Sequence, residues 1–303
     1  MLAVAKQNLS NAAFTEPTDM TMNEFSEISG IAERDAGLMI AESKRRLVQT
    51  RIQARMIALG IKSVSDYLSH IKHPQGNEER GRMVASLTTN VTAFNREPHH
   101  FEQLKSEVLP GLIKRARNGG KVRIWSAGCS TGQEAYSVAM ALLDLAPDIA
   151  DFDLLILASD IDTACLEHAA NGRYRTDDLE EISETQRSHH FQETQTPGVY
   201  AATGELRSIV CFRTLNLFDP WPMRHPFDVV LCRNVVIYFS RERQQKLWAQ
   251  FCDAMKIGAW LFLGHSERLS GPAQSNFDPA GVTSFQKTSY RTPLVGQERK
   301  EVS

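Results

Sequence analysis

Residues 125–134 read Trp125-Ser126-Ala127-Gly128-Cys129-Ser130-Thr131-Gly132-Gln133-Glu134, and their setting decides the fold. Upstream, the turn signal Asn118-Gly119-Gly120 gives way to the β-branched run Lys121-Val122-Arg123-Ile124. Downstream, Ala135, Val138, Ala139, Leu142 and Leu145 fall at helical spacing. The segment reads strand, glycine-bearing loop, helix. That order sets backbone N–H groups and the positive end of a helix beside a bound ligand. Gly128 and Gly132 let the backbone approach that ligand with no Cβ between them. The loop lacks the Gly-Lys-Ser/Thr ending of a P-loop and a full G-x-G-x-x-G, which disfavours a nicotinamide dinucleotide.

From Lys121 onward strand and helix alternate, the sign of a parallel sheet covered on both faces. Residues 153–159 form an apolar second strand ending in Asp160-Ile161-Asp162. A carboxylate there is placed to accept from ribose hydroxyls. It lies farther from Gly128 than the roughly 20 residues of a dinucleotide fingerprint, the extra length falling in a longer helix and loop. Further strands are expected at 209–215, 227–232, 259–263 and 282–287, with a helix at 241–256 capped by Ser240. Residues 191–208, with turn residues around Val199-Tyr200-Ala201, read as a small inserted β-subdomain, while 171–190 fit no regular element. Binding groups in an open α/β sheet gather at the carboxyl ends of its strands. Here those ends carry Gly128, Asp160, Asn216, Arg233 and Asn234, a set that suits an adenosine-containing ligand without demanding phosphate.

The expected organisation is a disordered leader (1–20), an all-helical domain (21–87), a linker and connecting helix (88–120), the α/β domain (121–290) and a polar tail (291–303). Within the helical part, Phe25, Ile28 and Ile31 mark a helix ending near Gly37. A second runs from about Ser43 to Leu59 with Gly60 as its C-cap and an expected stripe of Leu47, Ile52, Met56 and Leu59. Its other face carries Lys44, Arg45, Arg46, Arg51 and Arg55. Arginines suit a docking face for an acidic partner because each fork pairs with a carboxylate at two points. By composition alone, residues 88–97 are a linker rich in locally hydrogen-bonding side chains.

The 303 residues carry 42% hydrophobic and 23% charged side chains and a net charge of −2, so nothing global points to nucleic acid or a membrane surface. No apolar run approaches transmembrane length. Five scattered cysteines (Cys129, Cys165, Cys211, Cys232, Cys252) suit a reducing cytoplasm, not a disulfide framework. Cytoplasmic residence as a monomer, without a metal, is expected.

In order along the chain, the stretches Leu87–Glu97, Trp125–Glu134, Ala158-Ser159-Asp160-Ile161-Asp162, Asn216-Leu217, Cys232–Phe239 and Gly264-His265-Ser266-Glu267 together resemble the chemotaxis receptor methyltransferases of the CheR family. The resemblance spans about residues 22–290. It implies a Rossmann-like domain that uses S-adenosylmethionine to methylate glutamate side chains on the cytoplasmic helices of chemoreceptors. By similarity, Asn90, Thr92, Arg96, Glu134, Asp160, Asn216, Leu217, Arg233 and Asn234 would hold the cofactor, with Asp160 on the ribose and Asn216-Leu217 beside the adenine. The basic helix matches the family's receptor-docking element, which singles out Arg45, Arg46, Arg51 and Arg55. Two departures stand out. Cys129 and Gln133 replace residues that are Ala and Glu in some members. Thr194-Gln195-Thr196-Pro197-Gly198 does not reproduce the glycine-rich hairpin with which some members grip a receptor's C-terminal peptide.

A glutamate nucleophile is already ionised at neutral pH, its reference pKa being about 4.3, so no general base is required. The site must instead align oxygen, methyl and sulfur and partly desolvate the carboxylate. Arg96 and Tyr238 are the expected orienting, catalytic residues. A small-molecule methyltransferase and a catalytically silent S-adenosylmethionine sensor are the alternatives. The helical domain with its basic face disfavours the first, and the presence of Arg96, Asp160 and Tyr238 the second.

Overall fold

The computed structural model describes residues 19–289. The expected leader and tail therefore lie almost wholly outside the described residues. Met20, at the expected leader's end, is buried in the helical core.

Four helices open the chain: α1 (Met22–Ala36), α2 (Arg45–Leu59), α3 (Val64–Lys72) and α4 (Asn77–Ser86). Local chemistry sets their ends. Thr21 and Glu24 form a reciprocal capping box at the start of α1, and Gly37 ends it in the left-handed region at φ 70°. Ser63 caps α3 through the Asp66 N–H, and Gly60 closes α2 at φ 69°. The buried stripe of α2 is Val48, Ile52 and Met56, an i, i+4 row. The expected Leu47 and Leu59 lie off that row and are exposed, which corrects the reading of the stripe.

The basic face of α2 is narrower than its sequence suggests. Arg55 turns inward, pairing through Nε (2.9 Å) and Nη2 (2.5 Å) with Glu79 of α4. The buried Glu79 also accepts from the Tyr67 hydroxyl at 2.8 Å. Arg51 donates to the Thr88 carbonyl at 2.7 Å. Arg46 is exposed, and Arg45 is half-buried against the Met22 sulfur.

Helix α5 (Pro98–Gln103) runs through one π turn (residues 104–108) into α6 (Leu109–Arg117). Pro110 sits in the first turn of α6, where its missing N–H and bulky ring are tolerated, and a π turn precedes it. Then follow β1 (Val122–Ala127), α7 (Gln133–Leu145), β2 (Leu154–Asp160) and α8 (Thr163–Asn171). Next come β3 (Arg173–Arg175), α9 (Glu184–His190), β4 (Phe191–Glu193), β5 (Val199–Ala202) and α10 (Gly204–Ser208). The described residues close with β6 (Val210–Thr214), β7 (Phe227–Cys232), α11 (Arg241–Ala254), β8 (Met255–Leu263), β9 (Phe277–Gly281) and β10 (Ser284–Lys287).

Seven strands form the main sheet in the order β6-β2-β1-β7-β8-β10-β9. The first five are parallel, and β10 and β9 close the edge antiparallel. Successive strands run outward from β1 to β2 and β6, and β7 then starts the other side. The β1/β7 boundary is thus the topological switch point, with its crevice at the carboxyl ends. The inserted subdomain is a separate antiparallel sheet, β3-β5-β4, that begins at Arg173 and not at 191. Three-residue strands such as β3 carry too little period to read from sequence.

Two cores flank the sheet. One gathers α5, α6, α7 and the subdomain around Phe94, Tyr136 and Phe262. The other runs without a break from Phe25, Ile28 and Ile52 of the helical domain to Trp125, Trp248 and Phe251.

Candidate functional site

The strand–loop–helix at 122–145 opens the site. Gly128 follows β1 at φ 84°, and a Cβ there would lie 2.4 Å from Val235 Cγ2. Only glycine satisfies both the left-handed backbone and that contact. The N–H of Gly128 donates to the Ser159 carbonyl at 2.8 Å, which draws the β1 loop onto the end of β2. Gly132, at φ 95°, has the same need, since its Cβ would meet Ala169 Cβ at 2.7 Å.

Asp160 ends β2 and is 8% exposed. One of its oxygens accepts from the Ser130 N–H at 2.8 Å and the other from the Asp162 N–H at 3.0 Å. Burial pushes its carboxyl above the usual range, against those two hydrogen bonds. The N-cap of α8 is Asp162, not Asp160: its side chain accepts from Ala164 and Cys165. Asp160 is therefore left facing the pocket.

On the other side of β1, Arg233 follows β7 and is 6% exposed. It donates to Glu134 at 3.1 Å and to the Arg96 carbonyl, and it faces Glu97 at 3.2 Å. Glu134, in the first turn of α7, also accepts from the Ser126 hydroxyl at 2.6 Å. Two carboxylates thus share one guanidinium, leaving the local balance negative. Burial raises Glu97, but the hydrogen bonds from His265 and the charge of Arg233 outweigh it and hold the carboxyl down to about 2.

The stretch 88–97 is more than a connector, because it forms one wall. Asn90 donates to Asp162 at 2.8 Å, and its carbonyl accepts from the Ser130 hydroxyl at 2.8 Å. Arg96 donates to the Val91 carbonyl at 2.8 Å, bending the segment back on itself. The opposite wall is residues 215–218. The Asn216 amide donates to the Asp35 carbonyl of α1 at 2.7 Å, and its oxygen accepts from the Phe218 N–H at 3.1 Å.

These walls enclose a cavity of about 920 Å³, counted to its open mouth. It is lined by Asn90, Thr92, Arg96, Gly128, Glu134, Asp160, Asn216, Leu217, Arg233, Asn234 and Tyr238, so the structure brings together all the expected cofactor and orienting residues. The lining mixes apolar groups with two carboxylates, and the Gly128 backbone forms part of it with no side chain in the way. That donor set fits a nucleoside carrying positive charge, and so fits S-adenosylmethionine. Of the four arginines expected to dock a partner, none lines this cavity. A neighbouring cleft is lined by Met39, Lys44, Leu47, Arg51 and Tyr238, and it shares Leu38, Thr88, Thr89 and Tyr238 with the cavity. The Lys44 ammonium lies 5.5 Å from the centre of the Tyr238 ring.

Sequence reasoning missed two residues. Glu267, 2% exposed, accepts from the backbone N–H groups of Gly264 (2.6 Å), Asn234 (2.9 Å), Val235 (2.8 Å) and Val236 (2.8 Å). It fixes the loop that carries Arg233 and Asn234, the latter at φ 60°. The signal was a lone acid closing Gly264-His265-Ser266-Glu267 beside an expected strand end. The other is Glu97, whose partners Arg233 and His265 are distant in sequence. His265 is an exposed loop residue whose Nδ1 lies 3.0 Å from Glu97. The described cysteines are free thiols, and burial pushes Cys129 well above its ordinary pKa, which disfavours its thiolate.

A family model described as "CheR methyltransferase, SAM binding domain" matches residues 90–285, and one described as "CheR methyltransferase, all-alpha domain" matches residues 23–88. The chain is 42% identical over 257 residues to the "Probable chemotaxis protein methyltransferase" of Rhizobium etli, covering 84% of this chain and 96% of that one. It is 37% identical over 259 residues to the "Chemotaxis protein methyltransferase" of Escherichia coli, covering 84% and 88%. With both halves matched in order and a cavity of suitable chemistry between them, the chain belongs to the CheR methyltransferase family.

Proposed function

We propose that this chain transfers a methyl group from S-adenosylmethionine to glutamate carboxylates on the cytoplasmic helices of chemoreceptors, leaving glutamyl methyl esters and S-adenosylhomocysteine. One observation carries the receptor half of this reading: the cofactor cavity opens beside a cleft on basic helix α2, and Tyr238 lines both. A helix laid along α2 could present a side chain to the cavity mouth there. The names of the relatives, chemotaxis protein methyltransferases, support a chemotaxis protein as the acceptor.

The cofactor supplies an electrophilic methyl on a sulfonium. The residues around it bind, orient and exclude water. Asp160 keeps free lone pairs toward the cavity for ribose hydroxyls, and Glu134 offers its carboxylate to the cationic amino-acid end. The Asn216 side chain is committed to Asp35 and Phe218, so adenine contact at Asn216-Leu217 falls to the backbone and to Leu217. A glutamate oxygen forms the new C–O bond as the C–S bond breaks, and no proton moves. Tyr238 orients that oxygen with one hydrogen bond. Arg96, in the wall, holds a carboxylate without a tight pair that would over-stabilise the ground state. On α2, Arg45 and Arg46 draw in the acidic receptor helices, with Arg51 at the cleft.

The test is incubation of the purified protein with methyl-labelled S-adenosylmethionine and receptor-bearing cytoplasmic membranes. Base-labile label on the receptor, lost when the acceptor glutamates are changed to alanine, is the expected result. Saturable cofactor binding without label would overturn it in favour of a silent sensor.

A further inference from the structure

Just outside the cofactor cavity three side chains converge, of which the site described above uses only Glu97, as a partner of Arg233. Glu97, His99 and His100 bring one ligating atom each to within 4.8 Å of one another. Glu97 Oε2, His99 Nε2 and His100 Nδ1 are all buried, and none takes part in a hydrogen bond. His100 is fully buried.

The geometry around these atoms is that of a ligand set. His100 Nε2 lies 2.9 Å from the Val282 carbonyl, which can only accept, so that nitrogen carries the proton. In the neutral ring Nδ1 is then a bare lone pair, and it faces Glu97 Oε2 at 3.5 Å. Two acceptors facing each other in a buried place repel unless positive charge lies near them, and the Arg233 guanidinium, 3.2 Å from Oε2, meets the carboxylate while Nδ1 of His100 is left without a donor or cation. Their separation is close to the ~3.3 Å between neighbouring ligands of a tetrahedral ion with bonds of about 2.0–2.1 Å. The outer contacts also fit. A metal-bound histidine characteristically donates its other N–H to a carbonyl or carboxylate, as His100 does to Val282. The other Glu97 oxygen accepts from the His265 N–H at 3.2 Å, which fixes the carboxylate and leaves Oε2 over. Arg233 pairs with Oε2 at 3.2 Å. Its charge is shared with Glu134, so it does not neutralise both carboxylates by itself.

We infer that Glu97, His99 and His100 bind one first-row divalent transition ion, with zinc as the natural occupant. Two imidazoles and one carboxylate favour such an ion over magnesium or calcium, which prefer all-oxygen shells. The ion would tie the start of α5 to the turn that carries Arg96, in which Asn95 and Glu97 both have positive φ (50° and 59°). It would thereby stiffen a wall of the cofactor cavity without touching the cofactor.

The experiment is calorimetric titration of chelator-stripped, full-length protein with zinc and, separately, magnesium, with thermal melts alongside. Wild type, His99→Ala, Glu97→Gln and the control His189→Ala are compared, and circular dichroism checks each fold. Expected are one zinc per chain, no magnesium binding, visible ligand-field bands with cobalt(II), and a melting temperature that rises with zinc. His99→Ala should weaken zinc at least tenfold and abolish the rise, while His189→Ala changes neither. Absence of saturable zinc binding in wild type, or binding undiminished in folded His99→Ala, overturns the site. His99 is half-exposed, so its variant decides the matter even if Glu97→Gln does not fold.

Discussion

At Gly128 the backbone sign and the neighbour leave one choice of residue. Alanine there would hold an unfavourable left-handed conformation, at about 1–2 kcal/mol, and would press Val235 from 2.4 Å. Gly128→Ala is expected to weaken S-adenosylmethionine binding about tenfold or more in calorimetry with the far-ultraviolet spectrum unchanged. Tyr238 stands where the cavity and the α2 cleft meet. Tyr238→Phe keeps the ring and removes one hydrogen bond to a charged oxygen, worth about 1.5 kcal/mol or more, so kcat should fall roughly tenfold. Cofactor affinity should hold. A variant with full turnover would remove Tyr238 from the orienting role. Gly128 could be picked out from sequence because a glycine after a short strand has few other uses. The tyrosine was chosen through a resemblance, since nothing in its own neighbourhood separates it from a core aromatic. Glu97 escaped because its meaning lies in partners more than a hundred residues away.

Among the elements, α2 divides its arginines between folding and surface. Arg46 remains outward, and Arg46→Glu should raise the receptor KM about fivefold at low salt, with the difference shrinking as salt screens the charge. An equal effect on cofactor affinity would contradict a docking role. Arg55 belongs to the pair with Glu79, and removing one partner of a buried pair costs about 3–5 kcal/mol, so its loss should be read as instability. Burial raises Glu79, but the hydrogen bonds of Arg55 and Tyr67 outweigh it and leave its folded pKa below the ordinary value. A lowered carboxylate stabilises the fold above its unfolded pKa, and that contribution is lost as pH falls through the folded value. The melting temperature should therefore fall below about pH 4, and Glu79→Gln should flatten that dependence while lowering stability at pH 7. The end of α1 and the start of α11 were legible because Gly37 and Ser240 cap locally. The α2 stripe was misread because Leu47 and Val48 are adjacent and equally apolar, and only packing chooses between them.

Across the whole molecule, the helical domain and the sheet share one core and meet along a seam of polar ties. Asn216 and Arg243 cap the last carbonyls of α1 (Asp35, and Glu33 with Arg34), and Met39 donates to the Tyr238 carbonyl at 2.8 Å. Gly37 lies against Phe218, where a Cβ would approach to 2.4 Å, and Phe218 lines the cofactor cavity. Gly37→Ala should therefore weaken cofactor binding several-fold from outside the cavity, as read by calorimetry, and an unchanged affinity would show the seam to be independent of the site. By itself the sequence determined the α/β class, the order of the longer elements and the residues at the strand ends, because periodicity, caps and glycine punctuation are local. The tertiary structure decided which arginines of α2 stay outside, that residues 88–97 become a wall, and that Glu97 and Glu267 serve the same loop. Those outcomes depend on side chains far apart in the chain competing for the same buried partners, and burial sets the winner only once the fold is complete.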